Sequence, residues 1–480
     1  MPNHKILKPD YLILIFIMVL AFYLTLIPHL GYPYPLHVDE WVHLAKCNAV
    51  LEAGSTTLVD PFLGQSALGI SSNLEAGFHL FWGIFHQISG ISWLTIFRYF
   101  PGIIFLITVL SVYILARREG FGWEAALFTC LIPTTIGILG PAFMVPVALG
   151  LLFIPLSLFI AFNFRTGWSY PVLFLFTCLL LTIHAPTAVG LVLILTPYIL
   201  LNLKGNFKHS LGITLALAVP FLAPFPWIFG MLLPTAESLL APQPLSTFVD
   251  LPSILQTYGY LPVLFCLLGT SILAIRGGKK NYGLIFGLLA LLAMLVTFFT
   301  FHYGVEIMYH RGLMYAILMM SIIAGAGLMG IRSLRLPSNG LKTAFLRKNV
   351  GNILCLVLIG LTLALCIPNR QDTAYYHMID SEDYQAFVWI RDNVDERYDK
   401  AVLDPWKATA FTAITGKNIY TKIHSYPKGT DMEAYEFLRG GCTDTAFLRE
   451  NGIAIVYSQW ECQNPDLVEV AKDIYLFRGD

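Results

Sequence analysis

Two adjacent carboxylates, followed one helical turn later by a histidine, stand in the segment PLHVDEWVHLA at residues 35–45. Pro35 is typical of a helix start, and the apolar residues that follow recur at helical spacing. Asp39 and His43 would share one face of this helix, and Glu40 would point about a quarter-turn away. Asp39 falls in the first turn, where the helix dipole favours an ionised carboxylate, and such a group can accept a proton from an attacking nucleophile. The alternative is a pair of solvated acids that cap a surface helix.

An arginine and a histidine open a long apolar run, YHRGLMYAILMMSIIAGAGL, at residues 309–328. The guanidinium of Arg311, with His310 beside it, could hold a phosphate group through two parallel hydrogen bonds. The alternative is an arginine whose stem lies along the apolar surface while its head reaches the lipid headgroups.

A third candidate, His184, stands between two apolar runs in LTIHAPTAVG at residues 181–190. Pro186 predicts a break in the helical structure here, and non-helical backbone at membrane depth is found where it lines a cavity. His184 is therefore a candidate cavity residue. The alternative is a structural histidine that bonds a freed backbone carbonyl.

The elements that must position these groups belong to a very apolar chain. Hydrophobic residues make up 56% of the 480 residues, charged residues make up 12%, and the formal net charge is zero. This charge balance does not suggest a nucleic-acid partner. Repeated apolar runs of about 20 residues, long enough to cross ~30 Å of hydrocarbon, predict a polytopic α-helical membrane protein. We predict about eleven transmembrane helices, at residues 11–28, 93–116, 122–140, 143–162, 170–184, 187–203, 210–230, 259–275, 282–301, 307–330 and 350–367.

Basic residues concentrate in the loops on the amino-terminal side of these spans. That side carries fifteen of them: Lys5, Lys8, Arg117, Arg118, Arg165, Lys204, Lys208, Arg276, Lys279, Lys280, Arg332, Arg335, Lys342, Arg347 and Lys348. The opposite loops before the carboxy-terminal region carry three: Lys46, Arg98 and Arg311. Because basic loops stay in the cytoplasm, we expect a multi-pass cell-membrane protein with a cytoplasmic amino terminus and an extracytoplasmic carboxy-terminal region.

The segment NLEAGFHLFWGIFHQISG at residues 73–90 is apolar but short, and it carries Glu75, His79 and His86. We interpret it as an amphipathic helix at the outer interface rather than as a further span. Residues 29–92 then form one long external loop of a transmembrane domain at residues 1–367.

From residue 368 onward, strand-length apolar runs (KAVLD, IAIVYS, IYLF) alternate with helical patterns such as SEDYQAFVWIRDNV. This alternation predicts a small extracytoplasmic α/β domain at residues 368–480. Two of the eight cysteines, Cys442 and Cys462, lie in this domain, and such a pair can form a disulfide outside the cytoplasm. Their separation in sequence leaves open whether they do so.

The acidic pair stands in a DE-x-x-H setting at the start of a large external loop that follows an inside-to-outside span. This arrangement resembles the GT-C superfamily of integral membrane glycosyltransferases. The superfamily includes the protein O-mannosyltransferases, the aminoarabinose transferases of lipid A and the catalytic subunits of oligosaccharyltransferases. Interfacial helices before the second span, and a basic turn after it (LARREG, residues 115–120), match the same pattern. The overall appearance suggests a prokaryotic source, archaeal sources included.

The resemblance implies transfer of a sugar, with inversion, from a polyprenyl-phosphate (dolichyl-phosphate) carrier to a protein or glycolipid acceptor on the outer face. We expect Asp39 to act as general base and Glu40 to position the substrate or the base. We expect Arg311 to hold the carrier phosphate as it leaves. Three histidines would line the same cavity: His43, His184 and His310.

Two features of the oligosaccharyltransferases are missing from this sequence. The Trp-Trp-Asp signature does not occur, and no second acidic-x-acidic motif stands near Pro141, where that group supplies another metal ligand. We therefore predict no metal ligand and assign no cofactor. A divalent metal is an alternative that no second acidic motif supports.

Two other functions stay open. One is a catalytically silent relative that binds lipid or scaffolds a partner. The other is a lipid flippase or transporter, which would be expected to have inverted repeats and polar groups near the bilayer midplane. We find neither feature in the sequence.

Overall fold

The computed structural model describes residues 9–56, 59–64, 75–135, 137–222, 251–304, 306–335, 344–371, 377–423 and 427–478. The chain divides into two compact units. The membrane unit comprises residues 1–30 and 99–374, and the mixed unit comprises residues 31–98 and 375–480. The mixed unit thus joins most of the predicted first external loop to the carboxy-terminal region.

Eighteen α-helices lie in the described part of the chain. They are α1 Pro9–Leu26, α2 Val38–Ala53, α3 Ala76–Ser89, α4 Trp93–Arg117, α5 Gly122–Cys130, α6 Pro146–Asn163, α7 Ser169–Ile183, α8 Ala185–Asn202, α9 Phe207–Leu222, α10 Leu251–Tyr258, α11 Tyr260–Arg276, α12 Lys279–Phe301, α13 Glu306–Arg332, α14 Ala344–Gln371, α15 Ser381–Asn393, α16 Ala408–Thr415, α17 Gly429–Arg439 and α18 Thr445–Glu450.

Among the described helices, seven are long and apolar enough to cross a membrane: α1, α4, α6, α8, α12, α13 and α14. Three shorter apolar helices, α7, α9 and α11, accompany them. The prediction of a multi-pass helical membrane protein is confirmed. The predicted number of eleven spans is not confirmed by these helices.

The span predicted at residues 122–140 is wrong in its extent, because α5 ends at Cys130. Pro133 lacks the backbone N–H that a continuing helix would need, and it restricts the residue before it. The chain then folds back on itself. A Cβ atom on Gly140 would lie 2.2 Å from the backbone oxygen of Pro133, so only glycine fits at this approach.

Helix α13, which carries Arg311, is almost entirely buried along its apolar length. Small residues in its AGAG sequence permit this burial because they let neighbouring backbones approach closely. A Cβ atom on Gly327 would meet the backbone oxygen of Phe265 in α11 at 2.2 Å. A Cβ atom on Gly325 would meet the backbone nitrogen of Ala125 in α5 at 2.5 Å. The tight packing fixes the helix that presents the predicted phosphate-binding arginine.

The mixed unit contains a five-stranded sheet in the order β2-β1-β3-β5-β4. Its strands are β1 Lys400–Val402, β2 Asn418–Ile419, β3 Ile455–Tyr457, β4 Leu467–Ala471 and β5 Ile474–Phe477. Strand β1 pairs in parallel with β2 and β3, and β5 pairs antiparallel with β3 and β4. The three predicted strand runs correspond to β1, β3 and β5, and the predicted helix SEDYQAFVWIRDNV corresponds to α15.

Within the mixed unit, residues between α1 and α4 bond directly to the carboxy-terminal region. The Tyr32 hydroxyl donates to the backbone oxygen of Ile379 at 2.8 Å. The Ile419 N–H donates to the backbone oxygen of Phe62 at 2.8 Å, which places residue 62 beside strand β2. These bonds hold α2, with its acidic pair, against the sheet-containing region.

Cys442 and Cys462 form a disulfide, with their Cα atoms 5.0 Å apart. Cys442 belongs to the buried apolar cluster of the sheet region, and Cys462 packs against that cluster. The other six cysteines are free.

Candidate active site

Asp39 lies in the first turn of α2, and its neighbours fix the backbone that carries it. The helix begins at Val38 rather than at Pro35, because the His37 side chain caps it. The Asp39 N–H donates to His37 Nδ1 at 3.1 Å, and the Asp39 carboxylate lies 3.7 Å from the same nitrogen. The Asp39 side chain is 21% exposed. A carboxylate at the positive end of a helix, partly open to its surroundings, suits a proton acceptor.

Glu40 is fully buried, and its carboxylate closes the capping box of α2. Its Oε2 accepts hydrogen bonds from the N–H groups of Leu36 at 2.6 Å and His37 at 3.2 Å. These contacts position the first turn and hence the Asp39 backbone.

The charge of Asp39 acts on a lysine of the carboxy-terminal region, Lys422. Burial lowers the pKa of Lys422 to about 8, and the negative charges of Asp60 and Asp39 oppose that shift. Its ammonium lies over the Phe62 ring, 3.4 Å from the ring centre. Asp39 and Lys422 therefore interact electrostatically, although they lie far apart in the sequence.

His43, one turn after Asp39 on α2, faces α3. Its Nδ1 lies 3.0 Å from Nε2 of His79 and 3.8 Å from Oε2 of Glu75. Both histidines are buried, whereas the Glu75 side chain is 28% exposed. Burial lowers the pKa of His79 to about 3, so this imidazole is neutral at physiological pH. Two imidazole nitrogens and a carboxylate oxygen, all within 4.8 Å of one another, could hold a metal ion.

In the membrane unit, His184 lies at the predicted break, between the end of α7 and the start of α8. Its Nδ1 lies 2.7 Å from Oγ1 of Thr187, and that oxygen lies 2.8 Å from the hydroxyl of Tyr315. All three side chains are buried. Gly190 makes room for the Tyr315 ring, since a Cβ atom there would lie 2.7 Å from it. A row of hydrogen-bonded side chains, His184, Thr187 and Tyr315, therefore links α8 to α13 inside the membrane unit.

Arg311 lies one turn before Tyr315 on α13. Its guanidinium Nε is buried and has no hydrogen-bond partner among the residues that the structure describes. An unpartnered buried donor is costly, typically about 1–3 kcal/mol, so this group is suited to receive an acceptor from outside the chain. His310 is half-buried, with its ring centre 5.4 Å from that of Tyr309.

The predicted site residues fall into both units. The mixed unit contains Asp39, Glu40 and His43, and the membrane unit contains His184, His310 and Arg311. Sequence reasoning gave no role to Lys422, Glu75 or His79. The spacing Glu75-x-x-x-His79, which repeats the spacing Asp39-x-x-x-His43, is the one local signal that could have identified the last two.

No protein-family model matches this chain, and no curated protein matches it in sequence. Solved structures do match in fold. The apo oligosaccharyltransferase of Archaeoglobus fulgidus superposes with a TM-score of 0.66 at 11% identity, over 93% of this chain and 69% of that one. The same enzyme tethered to an acceptor peptide with an NVT sequon gives 0.60 at 10% identity, over 93% and 68%.

ArnT from Cupriavidus metallidurans, bound to undecaprenyl phosphate, gives a TM-score of 0.60 at 13% identity and covers 97% of both chains. The oligosaccharyltransferase and ArnT are both GT-C glycosyltransferases. The fold of this chain is therefore the GT-C fold, as the acidic pair and the loop order predicted.

Proposed function

We propose that this chain, which has the fold of the GT-C glycosyltransferases, transfers a sugar from a polyprenyl-phosphate carrier to an acceptor. The observation that carries the proposal is the Asp39 carboxylate, which is partly exposed and lies at the capped start of α2. It belongs to the acidic pair that the sequence shares with the GT-C superfamily. The solved structures with this fold add support, because one holds an acceptor peptide and another holds undecaprenyl phosphate.

The reaction is a displacement at the anomeric carbon. A hydroxyl or amide of the acceptor attacks this carbon, a new glycosidic bond forms, and the bond from the carbon to the carrier phosphate oxygen breaks. Attack from the opposite face inverts the configuration. Asp39 takes the proton of the nucleophile, and polyprenyl phosphate departs with the electron pair of the broken bond.

Arg311 holds the carrier phosphate in this proposal. The departing phosphate gains negative charge, and a preorganised guanidinium in a poorly hydrated surrounding stabilises that charge better than water does. His184 and His310 supply further polar contacts near the carrier. Glu40 contributes through the capping box that sets the position of Asp39.

We propose further that the mixed unit faces the outside of the cell, as the distribution of basic residues favours. Glu396→Cys places a thiol on an exposed position of the mixed unit. In intact cells it should react with a membrane-impermeant maleimide, whereas Arg118→Cys should react only after permeabilisation. The native background should be low, because five of the free cysteines are buried and Cys178 is half-buried. The reverse labelling pattern would invert the topology.

Transfer itself is tested with purified full-length protein and a panel of polyprenyl-phosphate sugars. We expect release of polyprenyl phosphate together with a glycosylated acceptor for at least one donor, detected by mass spectrometry. Donor binding without turnover across the panel would favour the catalytically silent alternative. Movement of the intact donor across proteoliposomes would favour the flippase.

A further inference from the structure

We infer that His43, Glu75 and His79 form a binding site for one divalent transition-metal ion, zinc by preference. The site connects α2 to α3 within the mixed unit. The inference does not depend on the proposed transferase function, because binding is measured without turnover.

The donor geometry is close to what zinc requires. Tetrahedral zinc binds imidazole nitrogen and carboxylate oxygen at about 2.0–2.2 Å, which places neighbouring donor atoms roughly 3.3 Å apart. In the structure His43 Nδ1 lies 3.0 Å from His79 Nε2 and 3.8 Å from Glu75 Oε2. These two distances differ from the required separation by a few tenths of an ångström, and the donor atoms of Glu75 and His79 lie within 4.8 Å of each other.

The donor types select the ion. Imidazole suits zinc and its first-row neighbours, whereas magnesium and calcium prefer oxygen ligands throughout. Three protein ligands leave a fourth position for water or another molecule. One of the two facing nitrogens, His43 Nδ1 and His79 Nε2, now donates a proton to the other, and on binding that proton would move to the second nitrogen of its own ring, because both facing nitrogens must present lone pairs.

The ring of His79 is buried, and its Nε2 is the nitrogen that faces His43. An imidazole nitrogen held beside a second imidazole nitrogen and a carboxylate oxygen is the arrangement of donor atoms that binds a metal ion.

Helix α3 is suited to hold its half of the site in place. One face packs Phe78, His79 and Trp82 into the interior. The opposite face exposes apolar side chains, among them Ile88, which is 81% exposed. This second face fits the predicted place of the helix at the membrane interface, so the His79 ring is directed towards α2. The Glu75 side chain makes no cap bond to the helix, and its Oε2 lies 3.8 Å from His43 Nδ1.

The test uses full-length protein without a polyhistidine tag, stripped with a chelator and then reloaded with zinc. We expect one zinc per chain by mass spectrometry of the metal content, an increase in Tm on reloading, and a tetrahedral absorption spectrum with cobalt. Glu75→Gln should weaken zinc binding by at least about 10–100-fold, the loss that even outer partners of a metal site cause. Glu52→Gln, an exposed carboxylate on α2, is the matched control and should bind as the native chain does.

His79→Gln provides a second variant on the opposite side of the ion, and its folding is checked by its melting curve. Failure of the stripped native protein to take up stoichiometric zinc would overturn the inference. So would uptake that is equal in the native chain, Glu75→Gln and His79→Gln, because zinc would then be bound elsewhere.

Discussion

Asp39→Asn should reduce turnover by on the order of 10²–10⁴, the typical loss when a positioned general base is removed. The amide keeps the size of the side chain but cannot take the proton of the attacking nucleophile. Donor affinity should stay near that of the native chain, since the carboxylate acts on the acceptor. Single-turnover rates and donor Kd, measured on the same preparations, separate these two quantities.

Two measurements guard against a merely structural effect of this substitution. Loss of a first-turn carboxylate costs a helix only about 0.3–1 kcal/mol, so the Tm should change little. Glu52→Gln removes a carboxylate from the exposed face of the same helix and should leave turnover unchanged. An Asp39→Asn enzyme that retains turnover within tenfold of the native rate would assign the base to another residue.

The charge of Lys422 offers a readout that is independent of turnover. Asp39 raises the pKa of this lysine against the larger lowering caused by burial. Replacing Asp39 with asparagine removes that contribution, so Lys422 should lose its proton at a lower pH than in the native chain. This shift would establish that the two side chains interact, whatever their roles in catalysis.

Local sequence patterns predicted the helices and strands whose formation depends mainly on local sequence. The apolar runs predicted the long helices, the short runs at the carboxy terminus predicted β1, β3 and β5, and Pro186 predicted the break at His184. The helical spacing after Pro35 predicted α2, although the cap by His37 moves its start to Val38. Pro133 was the overlooked signal that ends α5 at Cys130.

The surroundings of the candidate site could not be predicted in the same way. The charge of Asp39 acts on Lys422 because residues 31–98 and the carboxy-terminal region belong to one compact unit. His79 meets His43 only because α3 folds back onto α2. Neither contact corresponds to a hydrophobic periodicity or a turn motif that could be recognised in the sequence. The burial of Glu40 is a further case, since an acid in a surface helix and an acid in a buried capping box have the same local pattern.

Arg311→Ala should weaken donor binding more than any other single substitution in the membrane unit. The guanidinium Nε is buried without a partner among the described residues, so a phosphate that binds there would complete a desolvated charge pair. Removing one member of such a pair typically costs about 2–5 kcal/mol, which is roughly 30-fold or more in Kd. Binding of the carrier is measured by titration with polyprenyl phosphate, and kcat should also fall because the leaving group loses its counter-charge.

Arg311→Lys tests whether the planar guanidinium, with its parallel N–H donors, contributes to phosphate binding in addition to the positive charge. Lysine keeps the positive charge but cannot form two parallel bonds to phosphate, so its donor Kd should lie between those of the native chain and Arg311→Ala. Arg118→Ala removes an exposed arginine from the same unit and should leave donor binding unchanged. If a correctly folded Arg311→Ala protein binds polyprenyl phosphate as the native chain does, Arg311 only anchors α13 at the lipid headgroups, and another cation must hold the carrier.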